Sequence, residues 1–469
     1  MECGKPSHFI DTPENIDHHP ASFRDNNAYL FYYGKSGILY RALADSYLGD
    51  YNLLHSSGLY PELMRRGWLV PHTIAEVPVP PGCSLVLQPE VLPFISYPYE
   101  WSFSQLKKAA LLTLDIASLA LQHGLILKDA SGFNVAWKNG QPIFIDLPSF
   151  RRLEPGEPWP AYQQFCAHFL APLALMKYTD LRLQKLFLCN IAGLPLDLTS
   201  KLLPRRTWLR MGLLIHLHLH ARSQLKHAGV DKKVEVNLST QTLRNLLHHL
   251  RLAVEGLRLP PTKTEWGDYY NDTNYTEDQF QAKKDIVGGW LDRMSPNRVC
   301  DLGANDGTFS RIAAQKAKLV ISADIDPIAV DKNFNYVTDR RITNILPIIQ
   351  DLTQPSPALG WELKERMPLQ ERLKADLGLA LALVHHLVIG NNTPFRKFFS
   401  FLANTAPTWI VEFPAKEDSQ VQRLLRNRED IFTDYSRHGF EAALYDSFII
   451  HERREIEGTH RTLYLITLK

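Results

Sequence analysis

The rhythm of hydrophobic and polar positions divides the chain into three regions. Residues 1–98 mix short β-like runs with turns. There, "AYLFYYGKSGILYRAL" (28–43) sets two aromatic and aliphatic runs around Gly-Lys-Ser-Gly and reads as a hairpin, while 84–95 read as a strand entering a proline-punctuated stretch. Residues 99–258 open with a helical period over 102–123 that stops at Gly124. A strand pair at 134–137 and 142–146 follows, then mostly helical spacing to about 255. The segment "GLRLPPTKTEWGD" (256–268) breaks the pattern with adjacent prolines and polar residues, which makes 259–469 a separate domain. In that domain, strand-like runs at 298–302, 319–323, 345–350, 377–383 and 409–413 are mostly separated by helical segments. This alternation predicts an α/β domain with a parallel, doubly wound sheet. "SFIIHERREI" and "HRTLYLITLK" read as two terminal strands pairing antiparallel at one side of it.

The densest chemical signal is "VCDLGANDGTFS" (299–310). A buried strand ends at Asp301, Gly303 and Gly307 permit a tight turn, and a helix starts near Thr308. Such a unit brings backbone N–H groups and a helix N-terminus against a ligand. Asp324 ends the second strand, 23 residues after Asp301, where a carboxylate can accept from both ribose hydroxyls. Asp326 is an alternative ribose ligand, Asp301 can simply cap the loop, and the two glycines can serve turn geometry alone. An NAD(P)-binding domain shares the second-strand acid. It would carry glycine where this chain has Asn305.

The pattern D-x-G-x-N-x-G resembles the first motif of class I S-adenosylmethionine-dependent methyltransferases. The resemblance implies a Rossmann-like, mostly parallel seven-stranded domain with S-adenosyl-L-methionine as cofactor. It would be held by Asp301, Gly303, Asn305, Gly307 and Asp324, with Asp351 after the third strand reaching the adenine amino group. Lys283 would reach the cofactor carboxylate, and Trp266, Tyr269, Tyr270 and Tyr275 would form a lid. His385 and His386 fall at the mouth of the fourth strand, where an imidazole can act as general base on an acceptor. One of them can instead pack structurally. Glu412, Lys416 and Asp418 follow at the same sheet edge, as acceptor-orienting groups or as an acid-rich helix start. An N-P-P-[YF] signature is absent, which weighs against methylation of a base amino group.

Further phrases widen the resemblance. "PYEWSFSQLKKAALLTL", "LKDASGFNVAW", "FCAHFLAPLALM", "ERLKADLGLALALVHHL", "VEFPAKEDSQVQRLL" and "RTLYLITL" are similar to a bacterial methyltransferase family that includes nodulation proteins, over nearly the full length. That resemblance implies methyl transfer and names no acceptor. Residues 102–150 also resemble the catalytic region of protein-kinase-like phosphotransferases. Asp129 and Asn134 stand in D-x-x-x-x-N spacing and Asp146 follows a hydrophobic strand, as base and metal ligands would. The pattern departs at Leu127-Lys128-Asp129, at Asp146-Leu147-Pro148, and in having only "YGKSG" for a phosphate loop; Arg41 is the substitute for the missing lysine. This implies an α+β kinase-like module used for acceptor recognition or scaffolding. The rivals are an ATP-dependent phosphotransferase centred on Asp129, Asn134 and Asp146, and a non-catalytic cofactor-binding adaptor.

Bulk properties narrow the partners. A net charge of +2 predicts neither a long nucleic-acid track nor an anionic membrane as partner. A basic stretch over 201–258 reads as a solvated helical face or a docking patch. Five scattered cysteines without a CxxC pair argue against a disulfide framework and for a reducing, cytoplasmic setting. No apolar run approaches the roughly 18 residues of a membrane span. No metal site is expected: in "HLHLH", only His216 and His220 share a helical face, and all three histidines read as exposed. The acceptor is left open among small molecule, glycan, protein and small RNA.

Overall fold

A computed structural model describes residues 16–34, 37–227, 237–259, 275–426 and 428–469. The N-terminal region is built on an antiparallel sheet ordered β1-β2-β3-β5-β4, from β1 (Ile16–His18), β2 (Ala28–Tyr33), β3 (Leu39–Ala44), β4 (His72–Ile74) and β5 (Cys83–Pro89). The expected hairpin is the β2–β3 pair, with Phe31 opposite Tyr40. Two helices, Leu48–Ser56 and Leu59–Arg66, stand where only turns were read from the sequence. Leu59 and Leu63, one helical turn apart, are buried, so the period was present but too short to separate from loop.

The helix Phe103–Gln122 starts with a reciprocal cap between Ser102 and Gln105 and buries most of its length. Two small ladders follow. They pair β6 (Leu125–Leu127) with β9 (Phe150–Arg152), and β7 (Val135–Lys138) with β8 (Gln141–Phe144). The rest of this region is helical. His216 and His218 are buried there, which corrects the expectation of exposed histidines. They lie in the π-helical turn Leu214–Leu219, so α-helical spacing fails. His216 bonds the Tyr162 hydroxyl, His218 bonds Ser200 and Thr207, and His220 stacks on Tyr162. They are packing groups.

The C-terminal sheet has seven strands ordered β12-β11-β10-β13-β14-β16-β15. They are β10 (Arg298–Leu302), β11 (Leu319–Asp324), β12 (Ile345–Ile349), β13 (Leu377–Ala380), β14 (Thr408–Pro414), β15 (Phe448–Glu455) and β16 (Arg461–Leu468). The first five are parallel; β16 pairs antiparallel with both β14 and β15. The sheet is the mostly parallel one expected. It runs outward in both directions from β10, which leaves a crevice at the carboxyl end of that strand.

One apolar cluster runs without a break from the helix Phe103–Gln122 into the sheet. Polar contacts reinforce it: Ser104 donates through N and Oγ to Asp331, and Gln105 Nε2 donates to the Pro347 carbonyl at 2.9 Å. Arg372 forms a fully buried ion pair with Glu100. Among the described residues, no helix is long and apolar enough to cross a membrane.

Candidate active site

A cavity of about 330 Å³ opens at the carboxyl ends of β10, β11, β12 and β13. The loop after β10 shapes it through three left-handed residues, Gly303 (φ +75°), Asn305 (φ +51°) and Gly307 (φ +80°). Only glycine serves at the last of these, because a Cβ there would sit 2.3 Å from Asn333 Oδ1. The loop presents Gly303, Ala304 and Asn305 to the cavity. Gly307 does not line it; that glycine starts the helix Thr308–Ala313 and packs on Asn333.

Three carboxylates stand along one side. Asp301 accepts from Ser310 Oγ at 2.6 Å, and burial pushes its carboxyl up to about 7. Asp324 accepts backbone N–H groups from Asn305 (2.7 Å) and Asp326 (2.9 Å), one on each oxygen, and burial pushes it up to about 6. Each oxygen keeps a second lone pair for a ligand hydroxyl. Asp351 accepts from Thr353 N and Oγ1 at 2.9 and 2.6 Å. Asp326 caps the next helix, accepting from Ile328 and Ala329, and does not line the cavity. The choice between Asp324 and Asp326 therefore falls on Asp324. Ile325 and Leu352 add apolar surface beside these groups.

The opposite side rests on a buried charge network. Lys283 lines the cavity between the rings of Tyr275 and Phe309, with its Nζ 2.5 Å from Glu412 Oε2. Glu412 also accepts from the Tyr275 hydroxyl and from Arg461 Nη1 at 3.2 Å. Arg461 is held by Asp418 as well, through Nε at 2.7 Å. Burial alone would raise the Glu412 carboxyl, but Lys283 and Arg461 outweigh it and hold it at about 2. Burial pushes Lys283 the other way, below its ordinary value. Glu412 is fully buried and does not line the cavity: its oxygens accept from Lys283, Arg461 and the Tyr275 hydroxyl, so it anchors those groups. That corrects the expectation that it orients or reacts with an acceptor. Lys416 pairs with Asp430, away from the cavity.

The two histidines part company. β13 ends at Ala380, earlier than the run 377–383 suggested, and Ala382 turns with φ +51°. His386 then lines the cavity while His385 is fully buried behind it, its ring 4.1 Å from that of His386. Neither nitrogen of His385 has a hydrogen-bond partner among the described residues. Burial, followed by the charge of Arg461, lowers His386 to about 4, so it is neutral at physiological pH. Trp266, Tyr269 and Tyr270 lie outside the described residues; Tyr275 lines the cavity. Sequence reading missed Arg461 as a cavity residue. Its only signal was a cation opening an otherwise apolar terminal strand.

A second, larger cavity of about 700 Å³ is lined mostly by the N-terminal region, including Arg41, Asp129, Asn134 and Asp146, with Glu365, Arg366, Met367 and Arg372 from the C-terminal part. Arg41 Nη1 pairs with Asp146 Oδ1 at 2.8 Å, Ser149 Oγ donates to Asp146 Oδ2, and Asn134 donates to Ser149. Asp129 accepts from Ser131 N at 2.9 Å, and burial raises its carboxyl. Among the described residues, no group of three or more His, Cys, Asp and Glu side chains is placed to hold a metal ion.

The chain is 36% identical over 390 residues to the nodulation protein NoeA of Rhizobium meliloti (strain 1021), covering 81% of each. No family model matches. Among solved structures, magnesium protoporphyrin IX methyltransferase from Synechocystis PCC 6803 with bound SAH aligns at 20% identity and TM-score 0.32, over 44% of this chain and 92% of that one. The N-methyltransferase NodS from Bradyrhizobium japonicum WM9 aligns at 14% identity and TM-score 0.31, over 41% and 97%.

Proposed function

The chain belongs to the family of the nodulation protein NoeA, and from its own cavity we propose that it is a methyltransferase using S-adenosyl-L-methionine. One observation carries the reading: Asp324 and Asp351, at the ends of successive strands, face one crevice with the glycine loop after β10. These groups fit such a cofactor. Asp324 has lone pairs for a ribose diol, Asp351 accepts from an amino group, and Ile325 and Leu352 offer apolar surface for a flat base. Lys283 meets a carboxylate only by sharing its ammonium with Glu412. When bound, the sulfonium supplies an electrophilic methyl carbon.

The chain's own residues would then do three things. The cavity walls exclude water and hold the partners in line. Arg461 and Lys283, pinned by Glu412 and Asp418, give the wall fixed hydrogen-bond donors that cost no reorganisation. His386, neutral and at the cavity surface, accepts the acceptor's proton. His385 backs it and keeps the ring in place.

We assign the N-terminal region to a kinase-like module that recognises or positions the acceptor, in a cytoplasmic enzyme. The sheet β1–β5 above a helical lobe, and the pairing of Arg41 with Asp146, support this. The same pairing favours a second reading, phosphotransfer from ATP at Asp129, Asn134 and Asp146. Calorimetry with S-adenosylmethionine, S-adenosylhomocysteine, NAD and ATP–magnesium separates them. Micromolar binding of the two adenosyl-sulfur ligands, weakened in Asp324→Ala, supports methyl transfer. Binding of ATP–magnesium alone, lost in Asp146→Ala, replaces it with phosphotransfer. Cofactor binding with a biological activity that survives His386→Ala would indicate an adaptor.

A further inference from the structure

The larger cavity has three walls: the N-terminal sheet, the turn carrying Asp129 and Asn134, and a limb of the C-terminal domain carrying Glu365, Arg366 and Arg372. Most of its charges are already matched. Arg24 pairs with Glu365, Arg41 with Asp146, and Arg372 with Glu100. Two are left over. Arg366 lies over Phe133, 4.3 Å from the ring centre, with no carboxylate in ion-pair reach among the described residues; its Nη1 donates to the Glu365 carbonyl at 2.9 Å and its buried Nε has no partner. Its field bears on His19 and His168, which line the same cavity. Asp129, also on the cavity lining, has no cation partner among the described residues and keeps acceptor capacity beyond Ser131 N and the Gln164 side chain. A half-buried cation and a half-buried carboxyl that do not pair with each other leave the cavity with one unmatched charge of each sign on its lining.

We propose that this cavity is a second ligand site for a small hydroxyl-bearing oxyanion of the sugar-phosphate class, with its negative group on Arg366 and its hydroxyls on Asp129 and Asn134. Guanidinium supplies donors in the geometry an oxyanion accepts, and a carboxylate and an amide suit hydroxyls. The site is also joined to the first cavity. A single segment, 350–376, leaves β12 and returns as β13. Its first residues, Gln350 to Thr353, line the smaller cavity, while Glu365, Arg366, Met367 and Arg372 line the larger. Its two limbs are tied: Ser356 Oγ donates to Gln350 Oε1 at 3.0 Å, and Leu369 N donates to the Ser356 carbonyl at 2.9 Å. Ligand binding at Arg366 therefore acts on the wall that carries Asp351. Only this coupling rests on the methyl-donor reading; the site does not.

The test uses the full chain with inorganic phosphate, glucose 6-phosphate and glucose, followed by calorimetry and thermal midpoint. Both anions should bind at millimolar concentration or below, the sugar phosphate more tightly, and glucose alone should not. Arg366→Gln should weaken both anions about tenfold, as expected for loss of a charged hydrogen bond. Arg366→Lys should retain inorganic phosphate, which controls for misfolding. Asp129→Asn should weaken glucose 6-phosphate alone. No binding of either anion to the wild type, or equal binding to Arg366→Gln, overturns the site. Saturating sugar phosphate should change the affinity for S-adenosylmethionine about fivefold or more. An unchanged affinity overturns the coupling, whereas no S-adenosylmethionine binding under any condition overturns the donor reading and leaves the site standing.

Discussion

Replacing Glu412 with glutamine should unfold the C-terminal domain far more readily, although the side chain does not line the cavity. The substitution keeps the volume and removes one buried negative charge. Lys283, Arg461 and the Tyr275 hydroxyl all converge on that charge, and Asp418 remains to answer only Arg461. Two routes give the magnitude. Breaking a buried ion pair from one side costs about 3–5 kcal/mol, because the partner is left uncompensated. Independently, a carboxyl held at about 2 instead of 4.5 corresponds to about 3 kcal/mol favouring the charged form. For a domain of this size, about 3 kcal/mol lowers the midpoint by about 10 °C.

The pH dependence carries the sign. In the wild type, Glu412's folded value lies below its unfolded one, so its contribution is present above pH 4.5 and lost as pH falls towards 2. In the variant the dominant strain is Lys283, already pushed below 10.5 by burial and now without its counter-ion. Between the lowered folded value of Lys283 and 10.5 the unfolded chain then binds more protons than the folded one, so the variant regains stability as pH rises through that window. Circular dichroism melts of both proteins at several pH values are the assay. A variant within about 1 kcal/mol of wild type at pH 7, or a deficit that grows with pH, would refute the network as drawn.

The remaining outcomes are more local. Asp324→Ala should weaken S-adenosylmethionine about tenfold or more by calorimetry. Wild-type affinity should fall as pH drops through about 6, where the Asp324 carboxyl takes up its proton. Gly307→Ala places a Cβ on Asn333 at φ +80° and should lower stability by about 1–3 kcal/mol in urea titration; an unchanged midpoint would contradict the loop geometry. His386→Ala should lower methyl-transfer turnover by about 10²–10⁴. With its imidazole at about 4, the wild-type turnover at saturating S-adenosylmethionine should stay flat from pH 8 to 5 and decline only below.

How much of this was legible in the sequence follows from which interactions are local. The unit from Val299 to Ser310 could be read because strand, turn and helix are consecutive, and each glycine marks a backbone need that lies within it. The parallel strands could be read because a strand covered on both faces is largely apolar, as β12 is throughout and β14 is apart from Thr408 and Glu412. Glu412 was misread because its partners stand 129 and 49 residues away, so its neighbours in sequence suggested a free acid. His385 and His386 could not be separated because the strand's alternation ends at Ala380, and the turn at Ala382 resets which side the chain presents. Asp324 and Asp326 could be separated only once the helix they precede was seen to use Asp326 as its cap.

The boundary near 256–268 shows the same limit at larger scale. The composition there is that of a linker, which suggests independent parts. Yet Glu100, Ser104 and Gln105, on the N-terminal side, meet Arg372, Asp331 and the Pro347 carbonyl on the other. These contacts span more than two hundred residues of sequence and leave no periodic trace. A linker rich in proline reports only that the backbone there is irregular; whether the flanking domains share a core depends on surface complementarity that neither segment displays alone. Because Arg372 closes one cavity and belongs to the segment that begins at the other, the two halves are better understood as one folded unit with two cavities. Loss of the Arg372–Glu100 pair should then be felt at both.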